Sequence, residues 1–301
     1  MKVTILGTSS AFPTRTRGHS ATHIDVGTEA MLFDCGENAQ RQIAIAGISP
    51  MKISKIFLTH WHGDHVLGLG GLLQSFQMNK RKTAVNIYGP EETRRRFKSM
   101  LEAFEIRTQY PINVYEVKAS ASKAFKIIET DAYEIYALKV KHPVPCLAFM
   151  WKENDKRRIK KEVIKPLGLE GNPLVSKLQE GRDIEWKGKK ITAKKATYMQ
   201  PGKKIAYIID AAFSASLIEF AKDADLLICE STFASDMKLE AKEYGHMTAA
   251  DAATIAKKAK AKKLVLTHFS QRYKDVTKLL EEARKVFKNT EAANDLDSFE
   301  V

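Results

Sequence analysis

Thr59-His60-Trp61-His62-Gly63-Asp64-His65 follows a strand-like run at 53–58 and places three histidines and an aspartate within six residues. Imidazole and carboxylate are the natural ligands of zinc and similar divalent ions. A helical His-Glu-x-x-His pattern would set its ligands one turn apart. Here His60 and His62 alternate to one side of an extended chain, and Asp64 and His65 then turn toward a second position. One loop can thereby feed two adjacent metal ions.

Outward from this stretch, short apolar runs recur at 3–6, 30–33, 53–58, 85–88, 133–140, 205–209, 226–228 and 264–266. Their length and β-branched content predict strands. Helices are expected over 91–103, 215–221, 248–261 and 275–287, each after a start signal or turn. Strands and helices mix throughout, so the class is α/β or α+β in layers. His142, Asp210 and His268 each close an apolar strand, as His60 does. Strand ends converge on one rim, so four such endings can build one site. Asp34, closing the run at 30–33, is the expected acceptor for a ligand histidine. His246, in a Gly-His-Met-Thr turn at a helix start, is a candidate for proton transfer. His19 and His23 read as surface residues.

The chain has 301 residues, 44% hydrophobic and 28% charged, which suits a soluble globular protein and excludes a disordered one. No apolar run approaches the ~18 residues of a membrane span, and the first residues lead straight into a strand. A cytoplasmic protein with no membrane partner is expected. Cys35, Cys146 and Cys229 are far apart, odd in number, and read as small buried hydrophobes rather than a disulfide framework. The formal net charge of +13 favours a polyanionic partner, nucleic acid above all. Charge is concentrated: Lys187, Lys189, Lys190, Lys194, Lys195, Lys203 and Lys204 stand without an intervening acid, and Lys152, Lys156, Arg157, Arg158, Lys160 and Lys161 precede them. Residues 151–200 are polar, basic and poor in strand periodicity. They read as an arm or protruding hairpin inserted into one domain spanning 1–301.

At these residues the chain resembles the metallo-β-lactamase superfamily and, within it, the short form of the ribonuclease Z family. His60 to His65 matches the superfamily's His-x-His-x-Asp-His motif, and His142, Asp210 and His268 match its downstream ligands. Phe33-Asp34-Cys35-Gly36-Glu37, Tyr244-Gly245-His246-Met247-Thr248 and Leu266-Thr267-His268-Phe269-Ser270-Gln271-Arg272-Tyr273 are similar to segments particular to ribonuclease Z. Gly171-Asn172-Pro173-Leu174 through Lys177-Leu178 resembles the tip of a flexible arm that grips tRNA. Three segments depart from the pattern: Ile209-Asp210-Ala211 replaces Gly-Asp-Thr, Cys229-Glu230-Ser231-Thr232 replaces His-Glu-Ala-Thr, and Pro13-Thr14-Arg15-Thr16-Arg17-Gly18 stands where Pro-x-Lys-x-x-Arg-Asn is usual.

The resemblance implies an αββα four-layer sandwich of the α+β class with an inserted flexible arm. It implies two Zn²⁺ per subunit, with Mn²⁺ or another divalent ion possible. His60, His62 and His142 would hold one ion and Asp64, His65 and His268 the other, with Asp210 bridging. The activity implied is endonucleolytic removal of the 3′ trailer from precursor tRNA, by a homodimer. Asp64 would act on the attacking water, and His246, paired with Glu230, on the leaving oxygen. RNA contacts are expected from Lys156, Arg157, Arg158, Gly171, Pro173, Lys177, Lys187, Lys189, Lys190 and Arg272. The alternative is another hydrolase on the same fold, acting on a small phosphodiester or a thioester.

Overall fold

Ala30–Phe33, Leu226–Glu230 and Leu264–Thr267 are buried along their whole length, the signature of parallel strands covered on both faces. The computed structural model describes residues 1–301. They divide into two compact units. The first comprises Met1–Glu129, Ile135–Trp151 and Lys204–Val301; the second comprises Thr130–Glu134 and Lys152–Lys203.

The first unit is built on two seven-stranded sheets. One runs in the order Ser298–Glu300, Lys2–Gly7, Ala21–Asp25, Ala30–Phe33, Ile53–Phe57, Val85–Gly89, Ile112–Glu116. Its last four strands are parallel. The other runs Thr290–Ala292, Leu264–Thr267, Leu226–Glu230, Lys204–Ile208, Cys146–Glu153, Tyr133–Val140, Phe125–Glu129, and its first four are parallel. Phe33, Phe57, Phe149 and Tyr207 meet between the sheets, with ring centroids 4.8 Å apart for Phe33–Phe57, 5.3 Å for Phe57–Phe149 and 5.6 Å for Phe33–Tyr207. All four are fully buried, and each such side chain contributes about 2–3 kcal/mol by leaving water.

Helices cover the outer faces. Ile43, Leu69, Leu72, Phe76 and Phe97, from helices Ala39–Ile45, Leu69–Met78 and Thr93–Ala103, pack on the first sheet. Helix Ala249–Lys258 turns Ala249, Ala252, Ala253 and Ala256 onto the second, beside Leu217 and Leu279 from the two neighbouring helices. Small side chains there let the helix lie close to the sheet. Its start is fixed by a capping box: Thr248 accepts from Asp251 N, and Asp251 accepts from Thr248 N. The result is the αββα sandwich of the α+β class. The expected helix at 91–103 begins only at Thr93, because Glu92 takes a left-handed φ of 71°. The strands Ala21–Asp25 and Ile112–Glu116 carry no apolar run; Asn113 and Tyr115 of the second are exposed at a sheet edge.

The second unit, poor in strand periodicity by sequence and read as an inserted arm or protruding hairpin, contains two antiparallel strand pairs. Lys156–Ile159 pairs antiparallel with Thr197–Gln200, and Ile184–Trp186 with Lys189–Ile191. The latter hairpin closes through Lys187 and Gly188, both at positive φ (49° and 72°), as a two-residue loop with the right twist demands. Ile164, Leu169, Leu178, Ile184, Ile191 and Ala196 form a small core of their own. The Trp186 indole donates to the Leu167 carbonyl at 2.8 Å. Those apolar residues are spaced too widely among lysines to read as periodic. Trp151, placed at the head of the insertion, belongs to the first unit. No helix is long and apolar enough to cross a membrane.

Candidate metal centre

Parallel strands share a direction, so their carboxyl ends lie on one rim. Asp34 follows Ala30–Phe33, His60 follows Ile53–Phe57, Asp210 follows Lys204–Ile208, Glu230 ends Leu226–Glu230 and His268 follows Leu264–Thr267. Asp34, Asp210 and His268 adopt left-handed backbone at φ 57°, 54° and 59°. That conformation costs a non-glycine residue about 1 kcal/mol or more and persists where surroundings enforce it. At Asp210 the buried Cys146 thiol donates to the backbone carbonyl at 3.4 Å. Burial pushes that thiol well above its ordinary range, so it stays protonated as a donor. All three cysteines are free and buried, as their spacing suggested.

The rim brings donors together in three groups; two contain all the expected ligands, and the third joins Asp210 and His268 to Glu230 and His246. His60, His62 and His142 each present one donor atom within 4.8 Å of the others, as do Asp64, His65, Asp210 and His268. His62 Nδ1 and His142 Nε2 face each other at 3.3 Å. His60 Nε2 stands 3.3 Å from Asp210 Oδ2, and His65 Nε2 stands 2.8 Å from the same oxygen. His268 Nε2 lies 3.2 Å from Asp210 Oδ1 and 3.6 Å from Asp64 Oδ2. Asp210 thus touches both groups of expected ligands.

Three imidazoles are held from behind. The Asp34 carboxylate accepts from His65 Nδ1 at 2.8 Å, from the Tyr207 hydroxyl at 3.1 Å and from the Thr59 hydroxyl at 3.0 Å. With its proton directed at Asp34, Thr59 Oγ1 must accept from His60 Nδ1, 3.0 Å away. Thr232 repeats the arrangement: its hydroxyl donates to Glu230 at 2.7 Å and accepts from His268 Nδ1 at 2.9 Å. Each ring therefore carries its proton on Nδ1 and turns a lone pair on Nε2 into the site.

The buried atoms His60 Nε2, His65 Nε2, His268 Nε2 and Asp210 Oδ1 have no hydrogen-bond partner. Buried acceptors left so cost about 1–3 kcal/mol each unless a cation takes their lone pairs. Nitrogen and carboxylate donors in such groups fit divalent ions. In the bare protein a second proton on His65 stands in for such a cation. Burial opposes the charge of His65, yet Asp34, Asp210 and Asp64 raise it well above the ordinary histidine range. Burial likewise opposes the charge of Asp210, yet His268 and His65 hold it well below the carboxylate range. His60, His62 and His142 are lowered chiefly by burial, His60 also by the neighbouring His65, so they favour the neutral, ligating form.

A cleft of about 450 Å³ opens over these groups, lined by His62, Asp64, His142, Asp210, His246 and His268 among others. His246 Nδ1 lies 3.2 Å from Glu230 and 3.1 Å from Asp210. Burial works against a charge on His246, but Glu230 and Asp210 outweigh it and raise the ring to about 11 in the bare protein. Glu230 is itself pinned by the backbone N–H groups of Ala211 at 2.6 Å and Met247 at 3.1 Å. Arg272 also lines the cleft, its guanidinium 4.9 Å over the Phe233 ring.

The remaining RNA candidates lie in the second unit. Lys177, Lys187, Lys189, Arg158, Gly171 and Pro173 are exposed, Arg157 is half-buried and donates to Thr197 at 3.0 Å, and Lys156 and Lys190 pair with Glu153 and Asp183. His19 and His23 correct their surface reading: both are buried, at 5% and 3% exposure. His23 lies on the middle of a strand flanked on both sides by others, and burial lowers it to about 4. Thr59, Tyr207 and Thr232 were not singled out from sequence. A hydroxyl immediately before or two residues after an acidic or histidine ligand was the available signal for the threonines; Tyr207, inside an apolar strand, left none.

Sheet architecture and donor set together define a metallohydrolase of the metallo-β-lactamase fold. Residues 181–269 match a family described as the β-lactamase superfamily domain, and residues 1–142 match the anti-Pycsar protein Apyc1 family. Ribonuclease Z of Methanococcus maripaludis strain C5 is 42% identical over 92% of this chain and 88% of its own length. That of Methanothermobacter thermautotrophicus is 39% identical over 100% and 97%. Among solved structures, the short form of human tRNase Z is similar with a TM-score of 0.73 at 27% identity, covering 100% of this chain and 99% of that one. The chain belongs to the ribonuclease Z family, and with it to the metal-dependent endoribonucleases.

Proposed function

We propose that the chain removes the 3′ trailer from precursor tRNA, cutting after the discriminator nucleotide to leave a 3′-hydroxyl, with two Zn²⁺ ions in the cleft or Mn²⁺ in their place. The observation that supports this most directly is the pair of donor groups meeting at Asp210. His60, His62 and His142 would hold one ion, Asp64, His65 and His268 the other, and Asp210 both. Divalent ions so placed supply Lewis acidity toward phosphoryl oxygens and lower the pKa of water.

The side chains do the rest. Asp64, 10% exposed on the cleft wall, orients the attacking water. His246 delivers the proton that the departing 3′-oxygen needs; Glu230 accepts from its Nδ1 and leaves Nε2 as the donor. Arg272 meets a phosphate oxygen. In the second unit, Lys156, Arg157, Arg158, Lys177, Lys187, Lys189 and Lys190, with the Gly171–Pro173 turn, form an arm that grips the folded body of the tRNA through its phosphates. A grip away from the chemistry positions the scissile bond. The working form is a homodimer in which one copy's arm serves the other's cleft.

The test is incubation of a precursor tRNA carrying a 3′ trailer with the protein and Zn²⁺ or Mn²⁺. Cleavage directly after the discriminator, leaving a 3′-hydroxyl, is expected. An intact precursor, alongside rapid turnover of a small ester, overturns the proposal in favour of a different hydrolase on the same fold.

A further inference from the structure

Two aromatic side chains line the cleft beside His246 without a task in metal binding or proton transfer: Phe233 and Tyr244. Phe233 follows Thr232 and is buried to 4% exposure. Its ring stacks on Tyr244 with centroids 6.4 Å apart and planes 20° from parallel. The His246 ring lies 6.0 Å from it and the Arg272 guanidinium 4.9 Å over it. Tyr244, in contrast, is 54% exposed.

The placement of Tyr244 is set by the residue after it. Helix Lys238–Tyr244 ends at Gly245, whose φ of 75° reverses the chain. A Cβ there would also stand 3.0 Å from Pro143 Cδ, across the cleft wall. The reversal lets Tyr244 and His246 both line the same opening. An exposed ring supported by a buried one, next to a cation, is the combination that binds unpaired bases: every base has a π-face, so stacking tolerates any of the four.

We propose that Tyr244, backed by Phe233, is the platform on which an unpaired nucleobase next to the scissile phosphodiester stacks, with Arg272 on the adjoining phosphate. This rests on the reading of the cleft as an RNA-cleaving site and adds a source of selectivity to it. A nucleotide that lies flat on Tyr244 has no helical neighbour on that face, so it stands at or beyond the end of a stem and not inside one. Cleavage is thereby directed to the junction where a stem ends, whatever the base there.

The test is a cycle of protein and substrate changes. Precursor tRNAs are made with the base removed from the nucleotide on the 5′ side, or on the 3′ side, of the scissile bond. Wild-type protein, Tyr244→Ala, Tyr244→Phe and Tyr244→Trp are compared on each by kcat/KM. Removing the base, or replacing Tyr244 by Ala, is expected to cost roughly 10- to 100-fold, the range of base–aromatic stacking. The two changes together should cost no more than either alone at one of the two positions, and Phe or Trp should restore the rate. Losses that multiply at both positions overturn the platform, as does a Tyr244→Ala protein that cuts the intact precursor at the wild-type rate. Failure of the wild-type protein to cut the intact precursor instead removes the RNA reading itself, and the platform with it.

Discussion

The Thr232 hydroxyl stands 2.9 Å from Nδ1 of His268 and 2.7 Å from Oε2 of Glu230, so one proton ties a ring of the site to a buried carboxylate. Thr59 makes the same link between His60 and Asp34 in the facing half of the site. Replacing Thr232 with Val removes the acceptor for His268 Nδ1 and frees the ring to turn or to shift its proton to Nε2. Partners of this kind set ligand orientation, and their loss typically lowers metal affinity by ~10- to 100-fold. Thr232→Val and Thr59→Val are therefore expected to lose zinc to a competing chelator at that much lower chelator strength, with Thr→Ser restoring retention. Zinc affinity unchanged in both Val variants contradicts the role given to the hydroxyls.

Chemistry and grip should separate at His62, which is half-buried on the cleft wall and belongs to the first donor group. His62→Ala is expected to abolish cleavage while leaving tRNA affinity within about two-fold, because in the proposed complex the phosphate interactions that dominate affinity are made by the arm. Cleavage and a filter-binding isotherm, measured on the same preparation, distinguish the two. Undiminished cleavage sinks the assignment of His62 as a ligand.

How much of this was legible in the sequence follows from what each residue depends on. His60 to His65 could be read directly, because the strand at Ile53–Phe57 and the tight turn after it fix the side chains locally. His142, Asp210 and His268 could be read as strand endings, because parallel strands align their ends. Thr59 and Thr232 acquire their roles only when Asp34 and Glu230 arrive from neighbouring strands. His19 and His23 look polar and hence exposed; the pairing of Ala21–Asp25 between two other strands buries His23, and His19 is buried where it bridges to Ser9 beside Gly36. The small core of the second unit was invisible for a related reason. Its apolar residues are isolated in sequence and meet only on folding.

The buried His23 makes stability depend on acid. Burial lowers its pKa to about 4, with Lys52 and Lys2 adding to the shift and Asp25 opposing it. The folded protein therefore holds His23 neutral at pH values where the unfolded chain, with an ordinary pKa near ~6.5, binds a proton. The contribution to stability is fully present above about 6.5 and is lost as pH falls toward 4. The loss amounts to something on the order of 3 kcal/mol across that window. Denaturant midpoints from pH 7 to pH 4 should fall more steeply for the wild type than for His23→Gln. Metal release by acid affects both proteins alike, so the difference between them isolates His23. Parallel curves would remove His23 as a source of acid sensitivity.

Lys187, Lys189 and Lys190 are exposed around the tip of a hairpin held by its own small core, and the Lys190–Asp183 pair is exposed to solvent, so charge reversal there costs the fold of that unit little. Each phosphate that the arm ceases to neutralise lowers the slope of log affinity against log salt by ~0.7–0.9. The triple change to Glu is expected to weaken precursor tRNA binding steeply at low salt and to flatten that dependence, while hydrolysis of a small phosphodiester continues at the wild-type rate. If one copy's arm serves the other's cleft, a mixture of this variant with His62→Ala should regain cleavage that neither has alone. In a mixed dimer the intact arm of the His62→Ala copy faces the intact site of the charge-reversed copy. Half of the dimers in an equal, freely exchanging mixture are mixed, each with one competent pairing, so about a quarter of the wild-type rate is expected. Activity that stays at the sum of the separate variants places arm and cleft in the same copy.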